Sequence, residues 1–411
     1  MTIAKVIGSR ERTRRYENSM MTSPYAVLWD LDPRTIYLNH GSFGPSPIEV
    51  RADREQWSAK LERQPMKFFC QQMEELLHRT AEDLAKFVHT KAARLALVDN
   101  ATIAMNIAAE SIALQPDDEV LLTDHEYGAV RNVWNRRCQQ TGGKIVTAQL
   151  PFPLNDQGVV DEIAAALTDR TRVIVVSHVT SPTASNLPVE RICQLAKQRG
   201  ILTVIDGPHA VAMLDLRLDD LGCDFYCASC HKWLCASFGS GFLWAHPRHH
   251  HKLQCPIVSW GGSMSGRSAC WQDRINWLGT RDPAALLSIS SAIRFLEGIT
   301  LSRFREYAHE LICYARRELL AIDGVGPLCT ASEDDVVSMC AVELPQSADW
   351  QPGYHGCPDP LQLELRDDHG IEVMVAAWKG RRFLRLSNHL YNSTDDIEKL
   401  LSALQGSQHL K

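Results

Sequence analysis

Lys232 lies near the centre of the stretch Gly222 to Gly241, GCDFYCASCHKWLCASFGSG, flanked by His231, Trp233 and Leu234 and followed by the small turn Gly239-Ser240-Gly241. Neighbours of this kind favour burial, and burial disfavours the ammonium form, so the side chain becomes available as a neutral amine able to condense with a carbonyl. A plain lysine in a loop between strand and turn reads the same way in isolation. A second segment adds weight. Gly200 to His209, GILTVIDGPH, is an apolar run of buried parallel-strand character that ends in Asp206 and a turn. Ligand sites of α/β sheets collect at the carboxyl ends of strands, so an acid there, followed one connection later by a lysine, suits pyridoxal 5'-phosphate. Asp206 would keep the pyridine nitrogen protonated and Lys232 would hold the aldehyde.

Further positions fit around that pair. Asn100-Ala101-Thr102 ends one apolar strand and opens a helix, where free N–H groups and a hydroxyl make an anion site, although Asn and Thr are also ordinary N-caps. Asp124-His125-Glu126-Tyr127 closes the next strand at the same edge and offers a flat ring. His178, ending VIVVSH, and His209, three residues after Asp206, are either site groups or satisfied core histidines. Arg385, in FLRLSN, has the planar fork that grips a carboxylate by two parallel hydrogen bonds, while Arg381 and Arg382 beside it read as solvated.

The elements that must position these groups alternate. Short apolar or β-branched runs at Arg94–Val98, Glu119–Thr123, Lys144–Leu150, Arg172–Val179, Ile201–Ile205, Asp224–Ala228 and Phe242–Ala245 predict strands. Helix-like segments predicted at Ile103–Ala113, Ala129–Gln140, Asp161–Leu167 and Val189–Gln198 lie between them, and two more, Ile48–Arg63 and Phe69–Val88, precede them. Seven strands with helical crossovers imply a mainly parallel, doubly wound α/β sheet covered on both faces. After Pro283 two long helical stretches, Ala284–Glu297 and Ser302–Ile322, lead to a strand near Val336–Glu343, a Pro- and Gly-rich loop from Pro345 to Pro360, a helix near Leu361–His369, two strands and a closing helix from Thr394. That pattern predicts a smaller α+β C-terminal domain.

The bulk composition narrows the function classes. The chain has 411 residues, 45% of them hydrophobic and 22% charged, with a formal net charge of -6, so nothing drives counterion release from nucleic acid. No apolar run approaches the roughly 20 residues that cross a bilayer. The first 22 residues carry Arg10, Arg12, Arg14 and Arg15 without the apolar core of a signal peptide, which predicts a polar arm, with Met20 or Met21 as an alternative start, and a cytoplasmic protein. Thirteen cysteines lie scattered in apolar surroundings, as at Cys193, Cys313 and Cys340, which fits reduced thiols. Cys223, Cys227, Cys230, His231 and Cys235 do not read as a metal site, because strand alternation turns neighbouring side chains to opposite faces and no second ligand pair follows. His249, His250 and His251 read as a solvated loop.

VIDGPHA followed by SCHKWLCA, with YLNHGSFG near the start and FLRLSN near the end, resembles the class V (fold-type I) aminotransferase superfamily and, within it, the isopenicillin N epimerase-like group; the likeness spans Tyr37 to Tyr391. The resemblance implies an N-terminal arm over 1–44, a PLP-binding large domain over 45–283 and a small C-terminal domain over 284–411. It implies phosphate contacts from Asn100, Ala101, Thr102, Ser229 and His231, and a ring stacked on the pyridine from His125, with Tyr127 as the second choice. It places His178 and His209 near the cofactor hydroxyl and the substrate amine, and Asn39, His40 and Arg385 at the substrate. Thr280, in WLGTRD, resembles the segment that reaches the phosphate of a neighbouring subunit, which implies a homodimer with shared active sites. The expected activity is Cα deprotonation of an α-amino acid, with epimerisation of isopenicillin N or a related amino acid foremost and transamination or C–S bond cleavage as rivals. Cysteine desulfurases of this superfamily carry a thiol on a loop shortly before the carboxylate-binding arginine. Here Asp367 to Ile371 contains none, and the nearest upstream thiol is Cys357.

Overall fold

The computed structural model describes residues 22–328, 336–346, 350–353 and 357–410. The arginine-bearing start of the expected arm, with Met20 and Met21, and parts of the Pro345 to Pro360 loop lie outside the described residues. The chain divides into two units.

The first unit, Ser42–Leu301, holds a seven-stranded sheet: β1 (Leu95–Val98), β2 (Glu119–Thr123), β3 (Lys144–Ala148), β4 (Thr171–Ser177), β5 (Leu202–Asp206), β6 (Phe225–Ser229) and β7 (Gly241–Ala245). Its order is β1-β7-β6-β5-β4-β2-β3. All pairs from β6 across to β3 are parallel, whereas β7 runs antiparallel to both β1 and β6. Every residue of β1, β6 and β7 is buried, as expected of strands covered on both faces.

The longer helices of this unit are α1 (Ile48–Arg63), α2 (Met73–Phe87), α3 (Ala101–Ser111), α4 (Gly128–Thr141), α5 (Asp156–Ala166), α6 (Val189–Gln198) and α7 (Ile289–Ile299). A parallel step needs a crossover, and α3 to α6 supply crossovers between successive strands from β1 to β5. The reversal of β7 removes that need between β6 and β7, so a short loop, 230–240, suffices there; that loop carries Lys232. One core cluster fills the space between α3, α4 and the sheet, around Met105, Ile107, Val130 and Trp134. Phe68–Gln72 forms a π-helical turn ahead of α2, so the predicted helix Phe69–Val88 is regular only from Met73.

The second unit comprises the described residues up to Gly41, Ser302–Leu328 and the described residues from Val336 onward. Strands β8 (Met339–Glu343), β9 (Met374–Trp378) and β10 (Arg381–Ser387) form an antiparallel sheet with β10 in the middle. The helices α8 (Leu301–Leu320), α9 (Pro360–Asp367) and α10 (Thr394–Gly406) accompany it, and α10 starts with a capping box between Ser393 and Asp396. Ile36–Tyr37 pairs in parallel with Ile371–Glu372, which ties the chain before Gly41 to this unit.

The unit boundary differs from the expected one at 284. The stretch Ala284–Glu297 breaks at Ser288, whose hydroxyl bonds the Ala285 carbonyl, and α7 buries Ile289, Ala292, Ile293 and Leu296 within the first unit, packed on α1 and α2. Among the described residues, no single helix is long and apolar enough to cross a membrane.

Candidate active site

The C-terminal edge of the first unit's sheet gathers most of the expected residues. At the start of α3 the Asn100 side chain accepts from the Ile103 N–H at 3.0 Å, and the Ala101 N–H donates to the Ser229 hydroxyl at 3.0 Å. Those bonds satisfy two of the open donors of the first turn and leave Thr102 exposed at the helix start, an anion-attracting position. Gly241 lets β7 pass this turn: a Cβ there would come within 2.5 Å of the Ala228 carbonyl oxygen and 3.0 Å of the Asn100 Cα. His231 holds the Ser240 carbonyl through Nδ1 at 3.0 Å, and burial lowers its pKa.

Asp206 ends β5 at 5% exposure. Among the described residues no hydrogen-bond donor reaches its carboxylate. Burial raises its pKa to about 7, the negative charge of Glu126 pushes the same way, and Lys232 opposes them. The residue after it must be glycine, because a Cβ at Gly207 would lie 2.1 Å from the Tyr226 ring. Tyr226 in turn meets His178 Nδ1 at 2.8 Å, and burial lowers the His178 pKa to about 4. Glu126 is buried and raised by burial, though it accepts from the Thr123 hydroxyl at 2.6 Å and from the Ser177 hydroxyl and N–H at 2.7 and 3.2 Å. A buried carboxylate without a donor is costly unless a cation arrives. That lack of donors fits the protonated ring nitrogen of pyridoxal phosphate, as the helix start fits its phosphate.

The loop after β6 fixes Lys232. Cys230 N–H bonds Ser240 O at 2.9 Å, Cys235 N–H bonds Lys232 O at 2.8 Å and Ala236 N–H bonds Cys230 O at 3.1 Å. Cys235 has φ +58, a conformation that costs a residue with a Cβ about 1 kcal/mol or more and is held here by that turn. Lys232 Nζ lies 3.0 Å from His209 Nε2, and the Trp233 indole N–H donates to His209 Nδ1 at 3.2 Å. Burial pushes the thiols of Cys223, Cys227, Cys230 and Cys235 upward, so they are poor thiolates.

Two rings compete for the stacking position. His125 is 1% exposed and its Nδ1 meets Asp124 at 2.7 Å, whereas Tyr127, the N-cap residue of α4, is 53% exposed. The contact with Asp124 lies in the plane of the His125 ring and fixes its orientation, while Tyr127 presents an open face at the same edge, so both rings of the expectation stand at the strand end. Thr280 is exposed beyond the short helix Asp273–Asn276, and its neighbour Arg281 pairs with Asp99, next to the Asn100 cap.

The second unit brings Asn39, His40 and Arg385 together. Asn39 bridges Ser387, Arg385 Nη2 lies 3.4 Å from Asn39 Oδ1, and His40 N–H bonds Ser387 O at 3.3 Å. Arg385 is 2% exposed, and His40 stacks on His389 at 4.3 Å with its Nδ1 2.9 Å from the Tyr391 hydroxyl. Two sequence expectations fail nearby. Arg382 is not solvated: it is 4% exposed and forms a two-bond ion pair with Asp359, while Arg381 pairs with Glu343 at the surface. In the first unit His249 is not a solvated loop residue either, since its Nε2 meets buried Asp224 at 2.5 Å and its ring stacks on Phe225.

Residues 49–400 match the family Aminotransferase class-V. The chain belongs to that family. It is 36% identical over 389 residues to the isopenicillin N epimerase of Amycolatopsis lactamdurans, covering 91% of this chain and 96% of that protein. The isopenicillin N epimerase of Streptomyces clavuligerus is 34% identical, covering 91% and 95%. Among solved structures, the cystine C–S lyase C-DES superposes with a TM-score of 0.78 at 18% identity, covering 90% of this chain and 96% of that one in a form with glycine covalently linked to its PLP cofactor. This class V enzyme thus has the fold-type I architecture, and pyridoxal 5'-phosphate is its cofactor. Sequence reasoning about it missed Glu126, Tyr226 and Trp233 as site groups. Glu126 had a signal in its spacing from Thr123, three residues earlier across a strand end; Trp233 had only its place beside the lysine.

Proposed function

We propose that this class V enzyme is an amino-acid epimerase acting on isopenicillin N or a related α-amino acid. The observation that carries the reading is 36% identity to an isopenicillin N epimerase over 91% of the chain, with Asp206 and Lys232 set at one sheet edge. Bound pyridoxal phosphate supplies an electron sink for the charge left when Cα loses its proton. In this reading Asp206, ionised, holds the ring N–H; Thr102, Ala101, Ser229 and His231 surround the phosphate around the Asn100 cap; His178 and His209 serve the polar groups between; and Tyr127 covers one ring face. Arg385, with Asn39 and His40, binds the α-carboxylate and so fixes rotation about Cα. The Lys232 amine takes the Cα proton, and inversion requires a proton delivered to the opposite face. The enzyme acts as a homodimer, with Thr280 reaching the phosphate of the neighbouring subunit; a monomer in sedimentation would overturn that part.

The test is incubation with isopenicillin N and a panel of L-amino acids in deuterated water, followed by chiral analysis. Deuterium at Cα with both stereoisomers supports epimerisation. Keto-acid formation would make it an aminotransferase, and release of sulfide or pyruvate that is lost in Cys357→Ser would make it a C–S lyase. Lys232→Ala should abolish turnover and the visible absorption of the bound cofactor while leaving the far-UV circular dichroism unchanged. A borohydride-reduced adduct mapped to another lysine would reject the assignment.

A further inference from the structure

We infer that Trp233 is a positioning residue: its indole N–H fixes the tautomer of His209 so that a ring N–H, and not a lone pair, faces the amine of Lys232. An indole nitrogen is a donor only, so His209 Nδ1, 3.2 Å from Trp233 Nε1, must be the unprotonated ring atom. The ring proton then sits on Nε2, 3.0 Å from Lys232 Nζ. An ammonium has three donors and no acceptor, so it cannot complete that contact; a neutral amine can. The structure therefore holds Lys232 in its nucleophilic form by geometry, through a hydrogen-bond relay that runs indole to imidazole to amine. Doubly protonated His209 would set two N–H groups head to head at 3.2 Å inside a dry core, where His209 is 2% and Trp233 0% exposed.

The groups facing the relay agree with it. From the end of β5, Asp206 would favour an ammonium, but burial and Glu126 raise its carboxyl to about 7, which weakens that pull near neutrality. His231, on the same turn, has its pKa lowered by burial, which disfavours a second cation there. A phenylalanine would fill the volume of Trp233; only the indole supplies the donor, and a buried indole N–H normally has a partner. The catalytic consequence rests on the proposed role of Lys232, but the tautomer does not, and the two fail separately.

The experiment uses the full chain labelled with 15N-histidine, as purified with its cofactor and again after the cofactor is stripped. Long-range 1H–15N spectra between about pH 6 and 8, assigned with His209→Gln, report which ring nitrogen carries the proton. The expected result is an unprotonated Nδ1 and a protonated Nε2 in both forms. A proton on Nδ1, or on both nitrogens, overturns the inference whatever reaction the enzyme catalyses. In stripped Trp233→Phe the two tautomers should mix, and acylation of Lys232 followed by peptide mass spectrometry should slow by about fivefold, the loss of one hydrogen bond's worth of preference. Wild-type tautomer and labelling rate in that variant would also overturn it; if the variant fails to fold, the wild-type spectrum still decides.

Discussion

Two buried aspartates mark opposite ends of the same strand pair, and they are treated in opposite ways. Asp224 sits just ahead of β6 at 2% exposure, Asp206 at the end of β5 at 5%. Burial pushes both carboxyls up. At Asp224 the push is outweighed, because His249, the Arg248 Nε at 2.9 Å and the Thr203 N–H at 3.0 Å all bond the carboxylate, and its pKa ends below the usual range. At Asp206 nothing outweighs it: no donor among the described residues reaches the side chain, and Glu126 adds a second negative charge. The edge that is electrostatically finished is scaffold. In the proposed reading the unfinished edge is where the cofactor's cation would complete the structure, which is how a folded chain stores binding energy for a ligand.

The largest break in this contrast should come from Asp206→Asn. Turnover should fall by about 100- to 10,000-fold, measured as Cα deuterium exchange, because a neutral amide no longer holds the ring nitrogen protonated. Stability should move the other way. A carboxyl whose folded pKa is raised to about 7 from 3.8 contributes its full stability below about pH 4 and loses it as pH rises through 7, about 4 kcal/mol in all. The cofactor-free variant should therefore gain on the cofactor-free wild type from pH 4 to 8 in urea titrations. His178 runs oppositely in both proteins, since its pKa lowered to about 4 makes its stability present above about 6.5 and lost as pH falls, so only the difference between variant and wild type reads Asp206. A difference that is flat with pH would show that Asp206 is not the unsatisfied charge.

Asp224→Ala should sharpen the same contrast from the finished edge. It strips the partner from His249 and leaves the buried Thr203 N–H without an acceptor, at about 3 kcal/mol of stability; Arg248 rehydrates and adds little. The activity of the folded fraction below the denaturation midpoint should stay within about twofold, because nothing at the other edge depends on it. Loss of turnover in a fully folded Asp224→Ala would mean that the two edges are coupled.

How much of this was legible depended on range. The placement of Lys232 and Asp206 at one sheet edge could be read because the signal is local: an apolar run that ends in an acid, and a lysine among residues that want burial. The seven strands could be read for the same reason, as β-branched runs between helical periods. The unit boundary at Leu301 could not, because α7 has an apolar stripe that would suit either neighbour. Arg382 and His249 look like solvated residues in sequence, and only Asp359 and Asp224, each more than 20 positions away, explain their burial. The relay from Trp233 to His209 crosses the gap between two strands and leaves no trace in spacing. Glu126 sits inside the Asp124–Tyr127 motif with one local mark, its spacing from Thr123, but its other partner, Ser177, comes from another strand, so its burial could not be read.

The smallest expected effect concerns the turn after β2, where the sequence offers two rings and the structure separates them. Tyr127 is half exposed at the start of α4, whereas His125 is buried against Asp124 at the same edge. A ring stacked on another is worth about 0.5–1.5 kcal/mol beyond its area, so Tyr127→Ala should weaken pyridoxal phosphate binding by about tenfold, read by fluorescence titration of the stripped protein, with its midpoint of unfolding unchanged. Tyr127→Phe should restore most of that affinity, since stacking needs the face and not the hydroxyl. His125→Ala should show the reverse pattern: a buried hydrogen-bonded side chain is removed, so stability falls by about 1–3 kcal/mol while cofactor affinity per folded molecule holds. Should His125→Ala instead lose the cofactor at full stability and Tyr127→Ala keep it, the ring preference returns to His125, and the exposed tyrosine needs another occupant for its face.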